Sequence, residues 1–341
     1  MAKVGVIDLC CGMGGLSFAA KEAGLSIWAG VDTSQSALRS YAGNFRRASR
    51  IPGDVSDPAI VSKCLEVRDS RARNQERFIV LSGPPCQGFS DAGPRQSGDA
   101  RNDVLVAVAQ AIARLKPEAA IVENVPALRK PKNSAILRRF RSVLNKAGYH
   151  VRGIELDAVM FGVPQNRRRL MFFITSQAVP RHRITKELRA FHKNAKSVRE
   201  AIGDLPVPPL WHPKRETNKD APGVSNHYAM RHSERVRAKI SAISPGKGPL
   251  SYRKLNPDAF APTLLSGHRA PPVHYEQARS ITVREALRLQ GFPDRFRVRG
   301  AFANQMEQVT NAVPAPLGNA AVKTLSRLMR RRAWPKASKE L

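Results

Sequence analysis

Short apolar runs alternate with helical stripes along the first half of the chain, and this alternation limits the fold more than any other feature. Runs at residues 4–9, 26–32, 78–82 and 119–122 are typical of buried strands, and apolar residues at helical spacing come between them. A later strand is expected at residues 169–175. Repeated strand–helix units predict an α/β fold with a doubly wound, mostly parallel sheet.

The amino-acid composition changes after this alternating half. The chain becomes rich in Pro, Arg, Lys and His, and prolines interrupt most helical patterns. Helical spacing returns at residues 282–290 and 318–329. We therefore predict a catalytic domain over residues 1–175, a smaller irregular domain over residues 176–278, and a C-terminal segment over residues 279–341.

Charge is the unusual part of the composition. The 341 residues include 57 Lys and Arg against 27 Asp and Glu, which gives a formal net charge of +30. Self-repulsion of this size adds nothing to the stability of a fold, so a polyanionic partner is favoured. A merely solvated basic surface is the alternative.

Cysteine usage and hydropathy indicate the compartment. The four cysteines have no zinc-type or redox spacing, which predicts free thiols in a reducing compartment and no bound metal. A strand pattern begins almost at once, so no cleavable signal is expected, and no run of about 18 apolar residues suggests a membrane span. We expect a cytoplasmic, nucleoid-associated protein.

A glycine-rich motif, DLCCGMGG at residues 8–15, follows the first strand and opens a helix. Glycines there let a ligand approach the backbone, but their spacing departs from the dinucleotide fingerprint GxGxxG. Asp32 stands at the end of the strand at residues 26–32, and Asp54 at the end of a third strand that precedes the one at residues 78–82. Ligands of such sheets bind at these strand ends. A carboxylate at Asp32 suits a pair of ribose hydroxyls, and Asp54 suits an adenine amino group. A tight turn with capping acids is the alternative.

Cys86 lies in the motif GPPCQGFS, residues 83–90, directly after the strand at residues 78–82. Two prolines fix the backbone before the thiol, which favours a position at the rim of the sheet. A lone cysteine is more often a buried apolar residue, but this rigid polar loop favours a nucleophile.

Two further motifs supply charged side chains at the same edge. Glu123 ends the strand that begins at residue 119, and an acid in a shielded pocket can hold and donate a proton. The motif QNRRR at residues 165–169 precedes the late strand. Because alternate residues share a face, Arg167 and Arg169 should point together toward a polyanion or a polar base. A solvated edge is the alternative.

The order of these motifs makes the chain resemble the DNA (cytosine-5)-methyltransferase family. The resemblance extends to REALRLQGFPD at residues 284–294 and NAVP at residues 311–314, and it covers roughly residues 3–175 and 278–325. It implies a Rossmann-like methyltransferase sheet, a target-recognition domain at residues 176–278, and a C-terminal segment that folds back onto the catalytic domain.

The resemblance also implies a division of labour around a cytosine flipped out of double-stranded DNA. Cys86 would attack carbon 6, and Glu123 would bind N3 and the exocyclic amine. Arg169 would contact the base carbonyl, with Arg167 on the DNA backbone. The implied methyl donor is S-adenosylmethionine, and its implied contacts are Cys10, Gly12, Met13, Gly15, Asp32, Thr33, Asp54, Val55, Pro85 and Asn311.

The resemblance also implies contacts with DNA. The residues expected to make them are Gln87, Ser90, Arg101, Arg253, Lys254, His268 and Arg269. For any one of those within residues 247–275, electrostatic tracking of the phosphate backbone is the simpler interpretation. The chain departs from the family pattern at Asp32, where Glu is usual, at Cys10, where an aromatic is usual, and at Thr310, where Gly is usual.

Other functions remain open at this point. A relative that methylates cytosine in transfer RNA uses the same catalytic parts, but its Cys-Phe-Thr tripeptide is absent here. A catalytically idle DNA-binding relative is another alternative, whereas the glycine spacing opposes a nicotinamide oxidoreductase. We expect a monomer that protects host DNA, paired genetically with a restriction endonuclease.

Overall fold

One mixed sheet forms the centre of the molecule. The computed structural model describes residues 4–71, 77–85, 103–210, 221, 223–265 and 271–330. The strands are β1 Gly5–Leu9, β2 Ser26–Asp32, β3 Ser49–Pro52, β4 Phe78–Ser82, β5 Ala119–Asn124, β6 His150–Asp157 and β7 Arg168–Thr175. Within this described part their order is β3-β2-β1-β4-β5-β7-β6, and β7 runs antiparallel to both of its neighbours. The predicted α/β class with a mostly parallel sheet is confirmed.

Helices cover both faces of this sheet and continue beyond it. They are α1 Gly15–Glu22, α2 Gln35–Asn44, α3 Pro58–Arg71, α4 Val104–Leu115, α5 Ser134–Lys146, α6 Arg181–Arg189, α7 Val198–Ile202, α8 Glu234–Ser241, α9 Val283–Leu289, α10 Phe302–Asn311 and α11 Ala315–Arg330. Local sequence determines where several of these helices begin. The Ser34 hydroxyl caps α2 by accepting from the backbone N–H of Ala37 at 3.2 Å, as its position predicts.

The strands bury both of their faces, which explains their continuous apolar runs. In β1, Ile7 contributes to a core cluster with helices α3, α4 and α5, whereas its neighbour Val6 contributes to a second cluster with α1, α6 and α11. In β4, Val80 and Ile79 divide in the same way. Side chains of a strand alternate between faces, so each strand needs apolar residues at every position.

The last two helices lie against the first turn of the chain. The Asn319 amide in α11 donates to the Ala19 carbonyl in α1 at 3.0 Å. A Cβ built at Gly318 would stand 2.9 Å from the Cβ of Ala19, so glycine allows this close approach. A Cβ at Gly15 would likewise stand 2.9 Å from the Val313 carbonyl. Residues 310–313 therefore lie beside the glycine-rich turn that follows β1.

Some elements differ from the predicted organisation. Strand β6 escapes detection from sequence because Arg152 and Glu155 are exposed on this edge strand and interrupt its apolar pattern. Helix α6 falls within the range predicted for the smaller domain, but Ile184 and Leu188 pack in the core cluster of β1 and α11. Among the described residues, no helix is long and apolar enough to cross a membrane.

Candidate active site

A cleft of about 810 Å³ opens where β1, β2, β4 and β5 end. Its walls come from the glycine-rich turn, from the ends of these strands, from residues 263–265 and from residues 310–313. All ten residues expected to bind the methyl donor line this one cleft: Cys10, Gly12, Met13, Gly15, Asp32, Thr33, Asp54, Val55, Pro85 and Asn311. The arrangement follows from the fold, because parallel strands carry their carboxyl ends to one edge.

The glycine-rich turn presents bare backbone to the cleft. Cys10, Gly12 and Gly14 all have positive φ angles, of 55°, 55° and 96°. A Cβ at Gly12 would meet no atom within 4 Å, so the space over this residue is open to a ligand. Cys10 adopts the same left-handed conformation without being glycine, which is uncommon and indicates a turn held by its surroundings.

Asp32 holds this turn in place from the end of β2. One carboxylate oxygen accepts the backbone N–H of Gly12 at 2.7 Å, and the other accepts that of Ser34 at 2.8 Å. Burial raises the pKa of Asp32. The turn-capping alternative is therefore correct for this residue, and its role toward ribose hydroxyls stays a prediction. Asp54 is exposed at the cleft and binds the Ser56 N–H and hydroxyl at 2.8 and 2.7 Å.

Asp8, which the sequence analysis did not single out, is the most unusual acid of the cleft. Its side chain is buried, and one oxygen accepts the Ser17 N–H and hydroxyl at 3.1 and 2.6 Å. The other oxygen has no hydrogen-bond partner among the described residues. Burial raises the pKa of Asp8 to about 7. An acid four residues before the first glycine of the motif was the available signal.

Glu123 and Arg169 form a buried ion pair at the far end of the cleft. The Arg169 Nε lies 2.6 Å from a carboxylate oxygen of Glu123, and their side chains are only 12% and 9% exposed. In the antiparallel register Glu123 pairs with Met171, which places Arg169 two residues along on the same face. Such diagonal neighbours are within reach of long side chains, so the β5–β7 pairing creates this contact.

Arg167 has a different position from the one predicted. Its side chain borders the cleft but is 1% exposed, and its guanidinium donates to the carbonyls of Leu264, Thr310 and Ala312 at 3.3, 2.7 and 3.1 Å. The prediction that Arg167 lies on the DNA backbone is therefore wrong in this structure. A guanidinium enclosed by carbonyl oxygens joins chain segments instead of meeting phosphate.

Comparison with known proteins agrees with this geometry. The family model for C-5 cytosine-specific DNA methylases matches residues 4–327. The chain belongs to the C-5 cytosine-specific DNA methylase family. The methylase is 29% identical over 373 residues to the Type II methyltransferase M.XorII of Xanthomonas oryzae pv. oryzae, an alignment that covers 96% of this chain and 85% of that one. It is 27% identical to M.DdeI of Desulfomicrobium norvegicum, covering 94% and 88%.

Solved structures give the same grouping. A putative DNA modification methyltransferase encoded within an E. coli prophage superposes on the methylase with a TM-score of 0.78 at 26% identity, covering 96% of this chain and 100% of that one. The S. pombe Dnmt2 methyltransferase, at 15% identity and a TM-score of 0.65, shares the fold.

The segment before β7 joins residues 261–264 to the cleft. The Gln165 side chain donates to the Leu289 carbonyl at 3.2 Å and accepts the Leu264 N–H at 3.2 Å. The next residue, Asn166, donates its N–H to Ala261 at 2.8 Å. These bonds bring Thr263 and residues 264–265 into the cleft wall, a contribution that sequence analysis missed because it depends on long-range pairing.

A second contact joins residues 274–279 to α9. The Arg279 guanidinium donates two hydrogen bonds to the Glu285 carboxylate, at 2.8 and 2.6 Å, and both side chains are buried. His274 lies 3.8 Å from the same carboxylate. Its Nδ1 accepts the backbone N–H of Glu276 at 3.1 Å, and burial lowers the pKa of His274 to about 4. His274 thus belongs to the interior and not to a DNA-facing loop.

The remaining predicted residues fall into two groups. Arg253 is exposed, whereas Lys254 is 8% exposed, so the prediction that Lys254 contacts DNA is wrong in this structure because its side chain is buried. The other group lies outside the described residues and comprises Cys86, Gln87, Ser90, Arg101, His268 and Arg269. Pro85, directly before Cys86 in the sequence, lines the cleft. In the described part of the chain, no group of three or more His, Cys, Asp or Glu is placed to hold a metal.

Proposed function

We propose that this methylase transfers a methyl group from S-adenosylmethionine to carbon 5 of a cytosine that is flipped out of double-stranded DNA. The observation that carries the proposal is a single cleft lined both by the ten residues assigned to the donor and by the Glu123–Arg169 pair. A donor pocket and a polar base pocket that share one space suit direct transfer between two bound substrates.

The part of the cleft lined by these ten residues, which we call the donor half, fits S-adenosylmethionine. We assign its ribose hydroxyls to Asp32 and its adenine amino group to Asp54, while the open backbone at Gly12 leaves room for the methionine part. The free carboxylate oxygen of Asp8 suits a positively charged group. When bound, the cofactor supplies an electrophilic methyl group on its sulfonium.

The part of the cleft that holds Glu123 and Arg169, which we call the base half, activates cytosine, which is a poor carbon nucleophile. The Cys86 thiolate forms a bond to carbon 6, and the electrons of the 5,6 double bond move to carbon 5. Glu123 stabilises the resulting enamine through N3 and the exocyclic amine, and Arg169 orients Glu123 and contacts the base carbonyl. After methylation, loss of the carbon-5 proton restores the double bond and releases Cys86.

Recognition of DNA is assigned to the predicted domain at residues 176–278, chiefly to the part that follows α6. Flipping is required because carbon 6 is inaccessible inside a stacked duplex. Arg253 is the exposed described candidate for a DNA contact, and the others proposed are Gln87, Ser90, Arg101, His268 and Arg269. We further propose a monomer that protects host DNA beside a restriction endonuclease, which the Type II names of its relatives support.

The test is bisulfite sequencing of a plasmid propagated with the wild-type chain, with Cys86→Ala and with Cys64→Ala. Cys64 is buried in α3 in the apolar core, so its variant controls for loss of a thiol. We expect protected cytosines at one recurring short motif with the wild type and Cys64→Ala, and none with Cys86→Ala.

Two outcomes contradict the proposal. Protection that persists in Cys86→Ala overturns the assignment of the nucleophile. Absence of protection in all three strains overturns DNA methylation. Transfer RNA from the same cells, treated with bisulfite, then separates an RNA methyltransferase from an idle DNA-binding protein.

A further inference from the structure

A strongly basic surface lies apart from the cleft. Between Glu123 and Glu155 the sequence contains eight Lys and Arg and not one Asp or Glu. This stretch includes α5 and the start of β6. Four arginines from this region and from α6 form what we call the edge arginine cluster: Arg129, Arg141, Arg152 and Arg181, all of them exposed.

The cluster is built around one backbone carbonyl. Arg129 and Arg181, which are 52 positions apart in sequence, both donate to the carbonyl oxygen of Gly153, Arg181 at 3.3 Å. Arg152, the neighbour of Gly153, donates its Nε to the Val179 carbonyl at 3.3 Å. A guanidinium has five N–H donors, so a single bond to the backbone orients each group and leaves donors for another acceptor.

A pocket of about 360 Å³ continues the cluster toward the start of β6. Its walls include Arg141, Asn145, His150 and Arg152. Two arginines and an asparagine therefore border one space. Arginine pairs favour phosphate because their planar fork matches its oxygens.

Like charges oppose one another in the cluster. The pKa of Arg129 is lowered, first by partial burial and then by the charges of Arg181 and Arg141, while Glu155 acts in the opposite direction. Glu155 is itself engaged by Arg168 at 3.6 Å. The fold thus holds like charges close together, and a bound polyanion would relieve this repulsion.

The cluster cannot be part of the cleft. Strand β6 is the outermost strand of the sheet, and it runs parallel to β5 because both are antiparallel to β7. Its first residues therefore lie at the end of the sheet opposite to the strand ends that line the cleft. No residue of the cluster lines the cleft.

We propose that the edge arginine cluster is a second, sequence-independent site for the phosphates of double-stranded DNA. It holds a second duplex segment while the cleft engages the first. Duplex DNA is the partner because it is the polyanion on which the family acts, and its closely spaced phosphates match several arginines at once. Charge alone would protect an edge strand from pairing, but such protection does not need guanidinium groups converging on one carbonyl.

The test compares two triple variants with equal loss of charge. One carries Arg141→Gln, Arg152→Gln and Arg181→Gln. The matched control carries Arg46→Gln, Arg50→Gln and Lys63→Gln, exposed residues near the opposite edge strand β3. Binding of a fluorescent duplex of about 24 base pairs is measured by anisotropy between about 50 and 300 mM NaCl, where each lost phosphate contact reduces the salt slope by about 0.9.

We expect the wild type and the control variant to bind a second duplex in a weaker step whose log K falls against log salt with a slope of about two to three, and the cluster variant to lack this step. In mass photometry at low salt, the wild type and the control should bind two duplexes per chain, and the cluster variant one. Equal slopes and equal stoichiometry in both variants overturn the proposal. So does a wild-type second site that prefers single-stranded RNA or phosphatidylglycerol vesicles to duplex DNA.

The inference depends on DNA binding and not on the proposed chemistry. At saturating enzyme the cluster variant should still protect plasmid cytosines from bisulfite conversion. Cys86→Ala should lose that protection and keep the second duplex. Failure of methylation and failure of the second site are therefore separate results.

Discussion

Replacing Arg167 by Met tests whether this arginine joins chain segments or contacts DNA. The substitution keeps apolar bulk but removes three hydrogen bonds from a guanidinium that is 1% exposed. Hydrogen bonds to a charged group contribute about 1.5–3 kcal/mol each, and the cost of burying the charge offsets part of that gain. We expect the free energy of unfolding to fall by about 3–5 kcal/mol, because three carbonyl acceptors lose their donor at about 1–3 kcal/mol each.

The structure also predicts where this loss is felt. Two of the three carbonyl acceptors belong to Thr310 and Ala312, which flank Asn311 in the donor half of the cleft. Loosening this segment should weaken binding of S-adenosylmethionine about tenfold, which corresponds to about 1.4 kcal/mol. Arg167→Lys keeps the charge but loses the fork, so its effects should be intermediate.

Urea unfolding and calorimetry with the donor alone measure these two quantities without turnover. Arg168→Met is the matched control, because that side chain is 70% exposed and its ion pair with Glu155 is 3.6 Å long. Surface pairs of this kind contribute about 0–1 kcal/mol, so the control should unfold like the wild type. The reasoning is refuted if Arg167→Met keeps wild-type stability and donor affinity and loses only affinity for DNA.

Three other substitutions test the cleft and its surroundings. Glu123→Gln should lower the methylation rate by about 100-fold or more while donor affinity by calorimetry stays unchanged, and an equal loss of donor affinity would contradict its assignment to the base. Asp8 has a pKa of about 7 in the folded protein against 3.8 when unfolded, so the wild type loses stability as pH rises from about 4 to 7. In urea unfolding, the free energy of unfolding of Asp8→Asn should therefore rise relative to the wild type over that range. A constant difference between the two across this range would contradict the buried position of Asp8. His274 has a pKa of about 4 in the folded protein against 6.5 when unfolded, so its contribution to stability is lost as pH falls through that interval. The thermal midpoint of His274→Gln should therefore decline less steeply with falling pH than that of the wild type. An equally steep decline would rule out His274 as the cause.

Local sequence determined the regular elements of the sheet domain. Strands β2 and β4 begin and end where the apolar runs predict, at Ser26–Asp32 and Phe78–Ser82. The Ser34 cap and the positive φ of Gly12 agree with residue type, since serine favours helix starts and glycine tolerates positive φ. Such features depend on neighbours within a few positions, so the chain itself specifies them.

Motif order also placed the donor residues on one edge. Once a doubly wound sheet is accepted, motifs that directly follow parallel strands must meet, and Asp32, Asp54 and Glu123 line one cleft for that reason. Their chemical roles remain proposals, because shared position does not measure binding.

Only the tertiary structure decided what the charged residues touch. Arg167 and Arg169 are two positions apart in one motif, yet the first is enclosed by carbonyls from residues 264, 310 and 312, and the second pairs with Glu123 across the β5–β7 register. Lys254 is buried, and Gly153 gathers arginines from α6 and from the turn before α5. The sequence determines that such side chains are charged. Their partners come from segments up to about 145 residues away, and packing alone selects those partners because burial requires every charged group to find one.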